Sequence, residues 1–128
     1  MIRALLLAGL ALPAAAEGLD CASAVTQVEM TGCADRAHRA ADAELNAAYA
    51  AALDRARSLD ATGVVSAAAN ATLLRDAQRL WIPFRDAACS AEAGTWGNGT
   101  GASMAYLLCL ERLTIDRTRD LRLYAEDN

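Results

Sequence analysis

The stretch that decides the fold is Thr26 to Ala52, TQVEMTGCADRAHRAADAELNAAYAAA. Its opening, Thr26-Gln27-Val28-Glu29, has the form of a capping box: the threonine oxygen and the glutamate carboxylate each satisfy an orphan amide of a first helical turn. A helix beginning at Gln27 follows. Met30, Ala34, Ala37, Ala41, Leu45, Ala48 and Ala52 then recur three or four residues apart, which draws one narrow apolar stripe along one face. The stripe is built of small side chains, so whatever packs on it can come close. The pattern fades near Ser58, and Asp60-Ala61-Thr62-Gly63 supplies turn residues.

Beyond this stretch the composition stays rich in alanine, leucine and arginine. Two tryptophans, three tyrosines and one phenylalanine are the whole aromatic content, and few β-branched runs occur, which argues for helices. A second helix is predicted from about Ser66 to about Ala93, with Leu73, Ala77, Leu80, Trp81, Phe84 and Ala88 on its inner face. Pro83 interrupts it, deleting the amide bond to the Arg79 carbonyl, and predicts a kink. The segment Gly94-Thr95-Trp96-Gly97-Asn98-Gly99-Thr100-Gly101 carries four glycines and reads as the main loop. A third helix, roughly Ala102 to Tyr124, turns Tyr106, Leu107, Leu110, Leu113, Leu121 and Tyr124 toward the core. The fold class is all-α: a small disulfide-stapled bundle of three main helices.

The N-terminus has a basic start at Arg3, an apolar run from Ala4 to Leu12, Pro13, and small residues Ala14, Ala15 and Ala16 before Glu17. This is the layout of a secretion leader, with cleavage after Ala16. Its apolar run falls well short of the roughly 20 residues of a membrane span, so no span is expected once residues 1–16 are removed. Residues 17–128 form one domain. All four cysteines, Cys21, Cys33, Cys89 and Cys109, lie downstream, where an oxidising compartment would join them as two disulfides. Four cysteines allow three pairings. Cys89 with Cys109 is preferred, because a helical hairpin across the glycine loop sets them at similar heights; Cys21 with Cys33 is then local. No C-x-x-C spacing points to thiol chemistry.

A formal net charge of −4, with every basic residue an arginine, argues against nucleic acid, which requires a basic face. No nucleophile elbow, phosphate loop or H-E-x-x-H helix occurs. His38, flanked by Asp35 and Asp42, reads as a solvated polar face rather than a metal site. Neither metal nor other cofactor is expected, and no catalytic residue.

The order Cys21, Thr26-Gln27, Glu29-Met30, Cys33-Ala34, Ala41-Asp42-Ala43-Glu44-Leu45-Asn46, Tyr49, Ala77-Gln78-Arg79, Trp81, Phe84-Arg85-Asp86-Ala87, Cys89, Tyr106, Cys109, Thr114, Arg117 and Leu121 resembles the LprI-type lysozyme inhibitor N-terminal domain family of secreted bacterial proteins. The resemblance covers about residues 20 to 123. Pro83 departs from the family pattern. What the resemblance implies is a small helical domain with disulfides that binds and inhibits lysozyme or a related glycan-cleaving enzyme in the periplasm or outside the cell. A different class of function, a cell-envelope adaptor docking another protein through a helical face, is the alternative.

Most motif residues also have a scaffold reading. Arg85, four residues after Trp81, can cover the indole face. Asn46 and Gln78 can make interhelical hydrogen bonds, and Thr114 and Arg117 can tie the third helix to Asp42 or Glu44. Asp42, Leu45, Asn46, Tyr49, Gln78, Trp81, Arg85, Tyr106, Thr114 and Arg117 are therefore assigned to the scaffold. The partner-binding candidates are the loop residues Thr95, Trp96, Asn98 and Thr100 with Ser103: an aromatic anchor surrounded by hydrogen-bond donors.

Overall fold

In the computed structural model, residues 18–63 and 68–126 are described; the leader assigned to residues 1–16, its cleavage site, and the expected start of the second helix at Ser66 lie outside them. Three helices, α1 (Gln27–Ala61), α2 (Asn70–Gly94) and α3 (Ala102–Glu126), account for the regular structure, and no strand occurs among the described residues. Helix α1 begins where the capping box puts it. The Thr26 hydroxyl accepts from the Glu29 amide at 3.2 Å, and the Glu29 carboxylate accepts from the Thr26 amide at 2.9 Å. With 35 residues it is about 52 Å long.

Helices α1 and α3 are the tightest pair and run parallel. The Gln27 side chain meets Met104 near their starts, and Glu44 pairs with Arg122 some five turns further along both. Helix α2 runs antiparallel to both, with Arg85 reaching Asp42 on α1 and Thr114 on α3. The alanine stripe is what permits the α1–α3 approach: Ala34, Ala41, Ala48, Ala52 and Ala56 are all buried, with Leu45 among them. Leu45, Ala48, Ala52 and Leu121 form the main core, against which Tyr49, Leu74, Trp81 and Tyr124 pack. Cys89, Cys109 and Leu110 make a second core, with Tyr106, Leu107 and Leu113 against it.

The two disulfides are Cys21–Cys33 and Cys89–Cys109, with Cα separations of 5.7 and 5.4 Å. The first staples the segment before α1 onto that helix; the second joins α2 to α3 inside the core. Helix α2 has no side-chain cap of its own at Ala69. Instead the Asp60 carboxylate, at the end of α1, accepts from the Asn70 amide at 2.6 Å and from the Ala71 amide at 3.0 Å. The Ala71 and Asn70 hydrogen bonds hold the Asp60 carboxyl below the ordinary carboxylate range.

The inner face of α2 differs from the one its apolar residues suggest. Leu73, Leu80 and Phe84 point to solvent, while Ala71, Gln78 and Cys89 are buried and Leu74, Trp81 and Arg85 are half-buried. The rotation follows from the partners: the Cys89 bridge and the hydrogen bonds of Gln78 and Arg85 to α3 are all on one face, and they outweigh the burial of three apolar side chains. Pro83 does not end α2, which runs unbroken through it to Gly94. Both Pro83 and Arg79 are exposed, so water can satisfy the carbonyl that the proline leaves unpaired.

Candidate functional site: the tip of the bundle

Two groups of residues were singled out by sequence, and they occupy different places. The first is a polar hub between the helices. The Arg85 side chain, only 11% exposed, lies with its guanidinium carbon 5.1 Å from the centre of the Trp81 ring. It pairs with Asp86 at 2.9 Å and Asp42 at 3.7 Å, and donates to the Thr114 hydroxyl at 3.3 Å. One cation thus links all three helices. Thr114 is fully buried, and its carbonyl accepts from Thr118 at 2.8 Å. Arg117 donates to the buried Gln78 at 3.0 Å, so it meets an amide rather than Asp42 or Glu44; Arg122 is the residue that takes Glu44. Asn46 is exposed on the outer side of α1, which removes it from the interhelical contacts expected of it. The hub therefore holds Asp42, Gln78, Trp81, Arg85, Thr114 and Arg117 together, with Leu45, Tyr49 and Tyr106 in the flanking cores.

The second group is at the end of the bundle formed by the start of α1, the α2–α3 connection and the start of α3. Gly94 to Gly101 is a chain of tight turns: the Trp96 amide donates to the Ala93 carbonyl, Gly97 to Gly94, and Gly99 to Trp96. Gly97 adopts φ 58°, a left-handed conformation that a side chain would strain. Trp96 remains 56% exposed. Its other face lies on Gly101, where an added Cβ would come within 3.0 Å of the ring. The indole is thus neither free nor folded into the core but laid over its own loop. The Thr95 hydroxyl is spent on the Glu92 carbonyl at 2.8 Å. Asn98 is exposed on the loop, and Thr100 and Ser103 line a shallow depression with Gln27, Val28 and Thr31 of α1.

That last contact adds residues the loop alone does not suggest. Val25 and Val28, 82% and 83% exposed, place two more apolar side chains at this end. Both fall off the Met30–Ala34 stripe, which was the available signal that they do not face the core. Acids carried by the tip segments are already engaged. Asp20 accepts from Ser23 and from the Ala22 amide, and its carboxyl is held low by the Ser23 hydroxyl first. Glu29 is held low chiefly by the Thr26 amide, then by its hydroxyl and the Val25 amide. Glu92 pairs with Arg112 at 2.6 Å. The result is a tip of apolar side chains and neutral donors.

Among the described residues no group of His, Cys, Asp and Glu side chains is placed to hold a metal. Asp35 pairs with Arg39 at 2.8 Å, and the His38 Nδ1 is buried without a hydrogen-bond partner, so the solvated face expected of His38 is turned partly inward. No helix of the described residues is long and apolar enough to cross a membrane.

Residues 20–121 match a family model described as lysozyme inhibitor LprI. The chain is similar to uncharacterized protein R02472 of Rhizobium meliloti (strain 1021), 38% identical over 106 residues that cover 80% of this chain and 76% of the relative. No solved structure matches the chain.

Proposed function

This chain belongs to the lysozyme inhibitor LprI family, and from that premise we propose that it is an exported binding protein, without chemistry of its own, that restrains lysozyme or a related glycan-cleaving enzyme by occluding its cleft with the bundle tip. The leader-like residues 1–16 and the two disulfides support export to the periplasm or beyond. A lysozyme cleft accepts a sugar chain and carries two carboxylates, so a protein that fills it must offer apolar surface and neutral donors without adding acids. The observation that carries the reading is Trp96: half-exposed and laid on Gly101, at the same end of the bundle as exposed Val25 and as the depression that Val28 shares with Thr100 and Ser103. The tight turns on either side and the buried Cys89–Cys109 bridge hold it in place, which limits the ordering entropy that a loose loop would lose on binding.

The test is a titration of the oxidised protein into cell-wall turbidity assays with several lysozyme types, beside Trp96→Ala and Gly101→Ala. Inhibition should weaken with Trp96→Ala by about 10- to 100-fold, the size of an aromatic hot spot. Gly101→Ala, whose methyl displaces the ring, should also weaken it. Absence of inhibition by the parent protein at micromolar excess defeats the proposal; inhibition indifferent to both variants moves the contact elsewhere.

One observation favours a second reading, a cell-envelope adaptor that docks another protein through a helical face. Leu73, Leu80 and Phe84 leave an exposed apolar stripe along α2, a surface that the cleft-occlusion reading does not use.

A further inference from the structure

We infer that the open α1–α3 face is where a second copy of this chain docks, forming an antiparallel two-fold dimer centred on Ile115. On the side away from α2, two grooves of about 510 and 500 Å³ share Ala37 and Ala40 and so run together as one trough along the parallel pair. Where the two grooves meet, and on either side of that point, α1 contributes Ala34, Ala37, Ala40 and Ala41, too small to cover its partner. Leu108, Ile115 and Leu123 of α3 are left 46%, 52% and 58% exposed along it.

What identifies the occupant is the order of charges. In an antiparallel pair related by a two-fold axis, residues equally distant from the axis on opposite sides face each other. With the axis at Ile115, Glu111, four residues before, meets Arg119, four residues after, and the same pair recurs by symmetry. Leu108, seven before, comes level with Leu123, eight after. Glu111 has no hydrogen bond or ion pair among the described residues, and Arg119 has only the long exposed contacts of 3.4 and 3.9 Å to Asp116 and Asp120. Glu44 and Arg122 also line the trough but pair with each other, so the face is complementary to itself in its apolar positions and in the charges of Glu111 and Arg119. From Met104 to Leu123 it extends about 29 Å; two helices wide, it covers about 600 Å² per copy, the lower end of a specific interface. A dimer with a dissociation constant in the micromolar range is expected. This dimer does not depend on what the tip binds.

Sedimentation equilibrium on the oxidised protein from about 1 to 200 µM tests it. Dimer should form over this range, and Glu111→Arg and Arg119→Glu should each weaken it about tenfold or more by setting like charges together. Combining the two reversals should restore it, because the pair is only exchanged. Ile115, Arg119 and Leu80 are exposed and Glu111 is half-buried, and circular dichroism confirms the fold of each variant. Independently, Ile115→Cys, a single thiol at the axis, should cross-link to dimer under mild oxidation much faster than Leu80→Cys on α2. A monomer throughout the range, no rescue in the double reversal, or equal cross-linking at both cysteines would each overturn the inference.

Discussion

Removing the two disulfides one at a time should give unequal losses, and the difference follows from burial more than from loop length. Cys89–Cys109 closes a separation of 20 residues and Cys21–Cys33 one of 12. Chain entropy then assigns them about 3.3 and about 2.8 kcal/mol, a gap too small to matter. Burial separates them. Cys89 and Cys109 are 0% and 1% exposed, so Cys89→Ala/Cys109→Ala also empties the second core of two sulfur atoms, each costing about 1 kcal/mol as a methyl-sized void. Cys21 is exposed and Cys33 half-buried, and their bridge mainly holds Leu19 and its neighbours against Gly32. Cys21→Ala/Cys33→Ala should therefore cost no more than about 3 kcal/mol, against about 5 for the buried pair. Guanidinium unfolding of the two double variants, both with the other bridge intact, measures this. Equal losses, or the larger loss from the exposed pair, would refute the reasoning that packing decides the order. Limited reductant should open Cys21–Cys33 first, read by thiol labelling.

Thr26→Ala removes the hydroxyl that caps α1 and should cost about 1 kcal/mol in urea unfolding, with fraying of the first turn visible as faster amide exchange at Val28 and Glu29. Gln78→Leu leaves the Arg117 guanidinium without its acceptor and should destabilise by about 1–2 kcal/mol, although leucine is the more apolar residue. The Asp60 carboxyl titrates below its ordinary value near about 4 because α2 amides bind its charged form. Its contribution is thus fully present above that value and is lost as pH falls through the lowered one. Asp60→Asn should be less stable than the parent at pH 7 and should lose less further stability on acidification to pH 3, by thermal melts at the two pH values.

How much of this was readable beforehand depends on which physical force chose each residue's place. Helix α1 was legible in detail, because its capping residues and alanine stripe are local and the stripe is its buried face. Helix α2 was legible as a helix but not in its rotation. Ranking by hydrophobicity puts Leu80 and Phe84 inside, whereas hydrogen bonds of Gln78 and Arg85 and the bridge at Cys89, all made to distant residues, turn them out. Thr114 and Thr118 read as polar, yet both are buried. At the tip, glycine spacing disclosed the turns around Trp96. The approach of Val28 and Thr31 to Ser103 depends on α1 and α3 running parallel, and nothing local in either helix specifies that direction.

The heights of the two sulfur bridges on the bundle have a consequence for heat tolerance. Since Gln27 of α1 is level with Met104 of α3, Cys33 is near the level of Cys109, and both links are clustered toward the Trp96 end. The opposite half, where α1 outruns α3 beyond about Ala52, has no covalent tie and is held to α2 through Asp60. Warming should therefore unzip the molecule from that far end while the Trp96 end keeps its shape. On a thermal ramp, ellipticity should begin to drop before capture of the target does, and cooling should restore the signal without scrambling.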